Sequence, residues 1–492
     1  MFSRLHLLLI LIGSLLISLP AHAHVGSPDA YYEGMAGPYR VLVVIQPPAV
    51  VPGVAQIQVR SLDGDIGRIE ILPLTMQGPG ASLAPRPDTM QHSTVDPKVF
   101  SGSLWIMLRG SWKVQVQAEG THGKGEVDVP VAAVSMTAAR MNSGMGAMMS
   151  AFGLLLAIAL IGIVRSANGD AQLAPQAGIS ASLKRRSRVG TTIGILVIVL
   201  LVSGGYLWWG VEARANELMV YRVPHLDASL RAGNKLQVKL ENPNGPSFKD
   251  PDWQAFWAQT IKGNDLVPDH GHLMHLFLVR LPDMKSFWHL HPETANYQDF
   301  TASLPAVPGG HYQIYADIVH STGFPETQVG TIDVPSEEGE ALRGDDSGGA
   351  SLAASDRVAE LSDGYRMAWE RDSSPLHAQQ AILFRFRVED KNGKPAGDLE
   401  NYMGMAGHAV FMSDDGKVFA HIHPEGSVSM AALTMAQAAA SDAAKMPAMN
   451  MPISAEVSFP YGFPQAGDYH LFVQVKRAGK VETGVFAAHV LP

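Results

Sequence analysis

The sequence predicts a mainly β protein: three Ig-like antiparallel β-sandwich domains, with a two-helix transmembrane hairpin between the first and second. Three observations carry this. Short runs of alternating apolar and polar residues, broken by Pro and Gly, fill residues 24–135, 218–335 and 356–492. Two apolar spans, 145–164 and 192–209, are each about long enough to cross a bilayer. The last two β regions also repeat one another, segment by segment.

In chain order, residues 1–23 read as a signal peptide. Arg4 gives a basic start, an apolar run spans residues 7–19, and Ala21-His22-Ala23 forms a cleavage site. Cleavage there leaves His24 as the mature N-terminus, where its α-amine and ring can chelate one ion. Alternation in 39–45, 54–59 and 111–116 marks strands of the first domain. His92, Asp96 and His122 read there as solvated polar residues. Residues 165–190, between the apolar spans, carry Lys184, Arg185, Arg186 and Arg188. The positive-inside rule puts this basic loop in the cytoplasm and both flanking regions outside. Tyr206, Trp208 and Trp209 fit an aromatic belt at the far end of the second span. The expected localisation is thus a bacterial inner membrane, crossed twice, with the N-terminal and C-terminal domains in the periplasm.

The second outer domain, 218–335, holds a histidine cluster and an aromatic-rich insert (Trp253, Phe256, Trp257). Residues 336–355 are acidic and rich in Gly and Ser, and read as a linker. The third domain, 356–492, repeats the second. Aligning His275 with His408 brings His289-Leu290-His291-Pro292-Glu293 onto His421-Ile422-His423-Pro424-Glu425, one residue of slack apart. It also sets Met403 and Met405 opposite His270 and His272. An insertion near residues 428–452 carries Met430, Met435, Met446, Met449 and Met451.

The exchange of His for Met has a chemical meaning. Thioether favours soft Cu(I), and imidazole serves either oxidation state of copper. On a strand, residues i and i+2 share a face, so each His-x-His pair can converge on one ion. The expected ligands are His275, His289 and His291 in one module, and His408, His421 and His423 in the other. His270 and His272, if extended, form a further pair, with Met403 and Met405 as its thioether counterpart. His24 adds an N-terminal chelate. Copper is the expected ion and zinc the alternative, since both accept imidazole. A strand-edge site with exposed donors would permit transfer by ligand exchange. The bland reading of each histidine is a packed or hydrogen-bonded strand end.

Composition narrows the function further. The chain has 492 residues, 19 His, 22 Met and no Cys. The missing thiols exclude disulfides, Fe–S clusters, thiolate zinc sites and thiolate blue-copper centres. A net charge of −9 without a basic groove argues against nucleic acid. No nucleophile elbow, phosphate loop or His-Glu-x-x-His occurs, so no enzyme is expected.

The start His24-Val25-Gly26-Ser27-Pro28 after the cleavage site resembles the YtkA-like, FixH-like and CopC-like group of small bacterial β-sandwich domains. So do the closing strands at Gly310-His311-Tyr312 and Gly467-Asp468-Tyr469. The His-x-His-Pro segments are similar to periplasmic domains with that motif. In CopC-like proteins a mature N-terminal histidine helps to bind Cu(II), with an Asp and a His from an Asp-Gly-His motif. His24 matches the first element, and no Asp-Gly-His occurs in this chain. The resemblance implies periplasmic copper handling, with a metalloprotein as receiving partner, or help in assembling a metalloenzyme. The alternative is a non-catalytic adaptor or assembly factor for a membrane complex, with structural histidines.

Overall fold

A computed structural model describes residues 24–25, 29–76, 84–174, 176–240, 265–336, 339–438 and 453–492. The signal segment, the aromatics Trp253, Phe256 and Trp257, and Met446, Met449 and Met451 lie outside these residues. The described chain is mainly β, in antiparallel sheets that pair around three apolar cores. It divides into two compact units: a β-rich unit, and a helical unit of residues 134–222.

In the β-rich unit, the first core joins two sheets. One runs through Ala30–Ala36, Tyr39–Gln46, Gly53–Ser61 and Val99–Ile106; the other through Ile66–Thr75, Gly110–Gly120 and Gly123–Ala133. Val43, Val59, Ile71, Val114 and Val129 face inward at every second position, as strand periodicity demands. His92 and His122 are exposed, and Asp96 pairs with Arg60, in keeping with solvated roles.

The repeat shows as matching sheets. Strand His275–Leu281 pairs with Phe287–Leu290 on one side and Gly310–His320 on the other. Strand His408–Ser413 sits likewise between Val418–Ile422 and Gly467–Arg477. Each sheet covers its own core with one face: Leu276, Leu278 and Ile314 in one, Ala409, Phe411 and Leu471 in the other. The opposite faces are also apolar and pack on each other. Phe277, Val279, Phe287 and Tyr315 meet Val410, Met412, Phe419 and Phe472 in a fourth core. Phe287 stacks on Phe472 with centroids 4.3 Å apart, and Tyr315 on Phe419 at 4.1 Å. Two-sided burial explains why His275–Leu281 and His408–Ser413 lack clean alternation.

Two sequence expectations change here. The stretch expected to be a linker is not free chain. Ser347–Gly349 adds an edge strand to Phe287–Leu290, with Ser347 opposite His289. Its Gly and Ser residues fit because the added strand lies tight on its neighbour: a Cβ on Gly348 would meet the Phe287 carbonyl at 2.2 Å. The basic loop also shortens, because Ala181–Leu218 is already helix and holds Lys184, Arg185, Arg186 and Arg188 in its first turns.

In the helical unit, Ser143–Ala167 starts where the Asn142 side chain accepts the Gly144 and Met145 N–H groups. Ser180 caps Ala181–Leu218 by accepting from Leu183. Both helices are long and apolar enough to cross a membrane, with mean hydropathy 2.5 and 2.0 over their best windows and no buried residue. The second has 38 residues, about 57 Å at 1.5 Å per residue, well beyond a bilayer core of about 30 Å. Its apolar stretch therefore has polar helix at both ends.

Candidate metal centre

Histidines stand at one end of the sheet-to-sheet contact because the strands put them there. His275, Phe277 and Val279 alternate on one face of their strand; His408, Val410 and Met412 do so on theirs. Phe287 leads to His289 in the same way, and Phe419 to His421. Where the apolar contact ends, the next residues toward that end are imidazoles from both repeats.

Eight histidines meet: His270, His272, His275 and His289 with His291, His408, His421 and His423. Neighbouring ring centroids lie between 4.0 and 6.2 Å apart. Two groups of three have donor atoms all within 4.8 Å of one another: His270, His408 and His423, and His275, His289 and His421. Each group mixes the repeats, one drawing two ligands from the third β region and the other two from the second.

The hydrogen bonds fix which nitrogens are bare. His275 Nε2 lies 3.1 Å from the Asp269 carbonyl, which can only accept, so Nε2 carries the proton. His289 Nδ1 lies 3.0 Å from Gln474 Oε1, while the Gln474 amide nitrogen donates to Ser347 at 2.6 Å. Tyr402 donates to the Asp345 carbonyl at 2.8 Å and turns its lone pair toward the same His289 Nδ1 at 3.2 Å. His289 Nδ1 therefore carries that ring's proton. The inner nitrogens, His275 Nδ1 and His289 Nε2, are then both lone pairs, 3.1 Å apart. Two lone pairs do not hydrogen-bond, but a cation between them satisfies both. Imidazole nitrogens bound to one ion at about 2.0–2.1 Å lie about 3–3.5 Å apart. His421 adds a third: its Nδ1 faces Asp317 at 3.3 Å, and its buried Nε2 has no partner.

Two of the three rings in the other group have the same build. His423 Nδ1 faces the Val428 carbonyl at 3.3 Å, and the His270 ring bonds to the Met403 backbone. Nε2 of both is buried without a partner, and His408 has neither nitrogen partnered. Rings oriented by an outer carbonyl or carboxylate, with the inner nitrogen bare, match how metal-ligating histidines are held.

Burial holds His275, His289, His408 and His423 well below the usual imidazole range, and neighbouring histidines add to it. Burial likewise lowers His270 to about 4. These rings are neutral at pH 7, the form that binds metal. Around them stand Asp269, raised to about 6 by burial, and Asp317, Asp345 and Asp346. Lys476 reaches Asp345 at 3.4 Å.

The two histidines of a His-x-His pair do not fall in the same group of three. His289 and His421 join one group, whereas His423 belongs to the other and His291 to neither. Each second histidine lies past the end of its strand, Leu290 or Ile422, and the chain turns at the following proline. The His270–His272 segment is not extended either. His270 (φ 50°) and Gly271 (φ 87°) form the centre of a tight turn closed by Asp269 and His272. Met403 (φ 50°) and Gly404 (φ 84°) repeat that turn between Tyr402 and Met405, and Met405 is buried. The backbone of His24 pairs beside Val418, at the end of that strand away from His421. Of the six grouped donors, His275, His289, His408 and His423 are buried and His270 and His421 are partly buried, rather than exposed on a strand edge. Within the insertion, Met430–Ala438 is helix; its Ala431 N–H donates to Asp269 at 2.8 Å.

Sequence reasoning missed Asp269, Asp317, Asp345, Asp346, Tyr402 and Gln474. The apolar runs beside His275 and His408, with no polar face, were the signal that their outer faces are covered.

A family described as a domain of unknown function (DUF8832) matches residues 359–491. No curated protein matches the chain. Among solved structures, a tetra-tandem repeat from the extending region of a large adhesion protein is similar at 6% identity and TM-score 0.16, over 94% of this chain and 74% of that one. A bacterial ice-binding adhesin is similar at 6% and 0.15, over 89% and 91%. Salmonella alpha-2-macroglobulin is similar at 9% and 0.21, over 96% and 24%. Scores this low carry no argument about function.

Proposed function

We propose that this chain is a membrane-anchored periplasmic protein that holds copper between its second and third β domains, for sequestration or delivery. In this reading the sandwiches are Ig-like domains of the YtkA-, FixH- or CopC-like kind, and the helical hairpin anchors them to the inner membrane. The observation that carries it is the convergence of bare imidazole nitrogens in two groups of three. Leaving such groups buried without partners costs roughly 1–3 kcal/mol each, a cost that bound cations remove. The nearby carboxylates favour positive charge in the centre.

Copper is placed ahead of zinc because a given imidazole site binds Cu(II) more tightly than Zn(II), and because no thiol is present to be oxidised. Burial favours tight holding over rapid exchange, so storage or sequestration comes before delivery. The reading assigns no catalytic step.

The test is a titration of the full chain in detergent with Cu(I) under anaerobic conditions, and with Cu(II) and Zn(II), against competing chelators. Copper binding that collapses in a His275→Ala, His408→Ala double variant supports the reading. Copper binding no tighter than that of the denatured chain overturns it. Zinc outcompeting Cu(I) and Cu(II) overturns the choice of metal.

A further inference from the structure

Two of the eight histidines, His272 and His291, belong to neither group of three. His291 is the more telling. Its side chain is 4% exposed, and its Nδ1 lies 3.1 Å from Asp346 Oδ1, which also accepts the His291 backbone N–H at 2.9 Å. That carboxylate fixes the proton on Nδ1. Nε2 is left buried, bare and unpartnered. His272 lies beside it, ring centroids 4.0 Å apart and planes 30° apart. Its Nε2 faces Asp345 Oδ2 at 3.4 Å, which leaves its Nδ1 as the free donor. Each ring is thus oriented by its own carboxylate, and the two carboxylates are adjacent in sequence. The pair adjoins the second group, with His291 centroids 4.6 Å from His289 and 5.0 Å from His275.

We propose that His272 and His291 form a third metal site, so that the centre takes three copper ions: two on three imidazoles each and one on two. The proposal rests on the copper reading above. The third ion is the most open of the three. Two protein ligands leave positions for water or a small anion, since Cu(II) takes tetragonal N and O donors. The His272 side chain is 30% exposed, so solvent reaches this pair. The adjacent carboxylates of Asp345 and Asp346 offset part of the added charge.

The experiment counts copper. The full chain in detergent is saturated with Cu(II), freed of loose metal by gel filtration, and assayed for copper per chain by elemental analysis. Wild type is expected to hold three. His291→Ala and His272→Ala are each expected to hold two, with a change in the Cu(II) paramagnetic resonance signal. His272→Ala alters a partly exposed ring and keeps the test valid if His291→Ala fails to fold. Wild type holding two, or both variants holding as much as wild type, overturns the third site and leaves the two larger groups standing. Wild type holding none overturns the copper reading itself.

Discussion

The two repeats share one frame and end in different donors. Strand His275–Leu281 and strand His408–Ser413 occupy equivalent places in their sheets, and each opens on a buried histidine. In the preceding turns, His270 and His272 in one repeat stand where Met403 and Met405 stand in the other. If each repeat held its own ion, the donor sets would be His275, His289 and His291, and His408, His421 and His423. Instead, each group of three takes two rings from one repeat and one from its neighbour. A duplicated sequence has become an unequal pair of histidine groups, because His270 supplies a ring that Met403 cannot. Duplication thus supplies two matching faces, and packing those faces together builds a centre that neither repeat has alone.

The largest effect is expected where that centre is deepest. His408 is 1% exposed with both nitrogens unpartnered. His408→Leu should abolish binding at its group, lowering bound copper by at least one per chain. The metal-free protein should become more stable, by roughly 1–3 kcal/mol, because buried unmet polar atoms are gone. Thermal melts with and without chelator check both signs, and a metal-free variant that melts lower than wild type would contradict the bare-nitrogen assignment.

Next, the same change at the two equivalent turns separates the repeats. Asn tolerates the left-handed conformation that both turns require. His270→Asn and Met403→Asn should therefore both keep the fold, but only His270→Asn should lose copper. Equal loss from both would show that the Met403 thioether is a ligand on a par with the ring.

A smaller effect tests where the repeats differ in their outer contacts. Gly426 (φ 128°) follows His423-Pro424-Glu425 in the place that Thr294 holds in the other repeat. A Cβ there would sit 1.9 Å from the Tyr31 carbonyl, where strand Ala30–Ala36 crosses the turn. Gly426→Thr should cost about 1–3 kcal/mol in strain, read as a lower melting temperature. Copper binding by the second group should persist.

The last comparison is in pH dependence, where the centre contrasts with His320. Burial lowers His270 to about 4 against about 6.5 in the unfolded chain. Its contribution to metal-free stability is complete above about pH 6.5 and is lost as pH falls through about 4. For His320 burial acts in the same direction, but the hydrogen bond to Asp265 and the Glu326 carboxylate 3.8 Å away outweigh it and raise the ring to about 9. That contribution is complete below about pH 6.5 and is lost as pH rises through about 9. Melting temperature of the metal-free chain should therefore peak near pH 6.5. Replacing His320 with Gln should flatten only the alkaline side.

Much of this was legible in the sequence. Alternation marked the strands, the apolar spans marked the two helices, and the shared spacing of His275, His289, His408 and His421 marked the repeat. Composition misled at residues 336–355, where Gly and Ser suggested free chain. Ser347–Gly349 forms an edge strand instead, and Gly348 lies too close to Phe287 and Trp288 for a larger residue. Neighbours in sequence also suggested that His421 and His423 bind together. Strand periodicity sets their direction, but the turn at Pro424 ends the strand between their roles.

The sequence by itself determined the elements and the donor types, because hydrophobic period, turn residues and ligand chemistry are local properties. Only the tertiary structure decided which donors meet. That grouping depends on two sheets burying their outer faces against each other, with Phe277, Phe287, Phe419 and Phe472 removed from water together. No local pattern specifies which surface a strand's outer face will cover, and the centre exists where those two surfaces end.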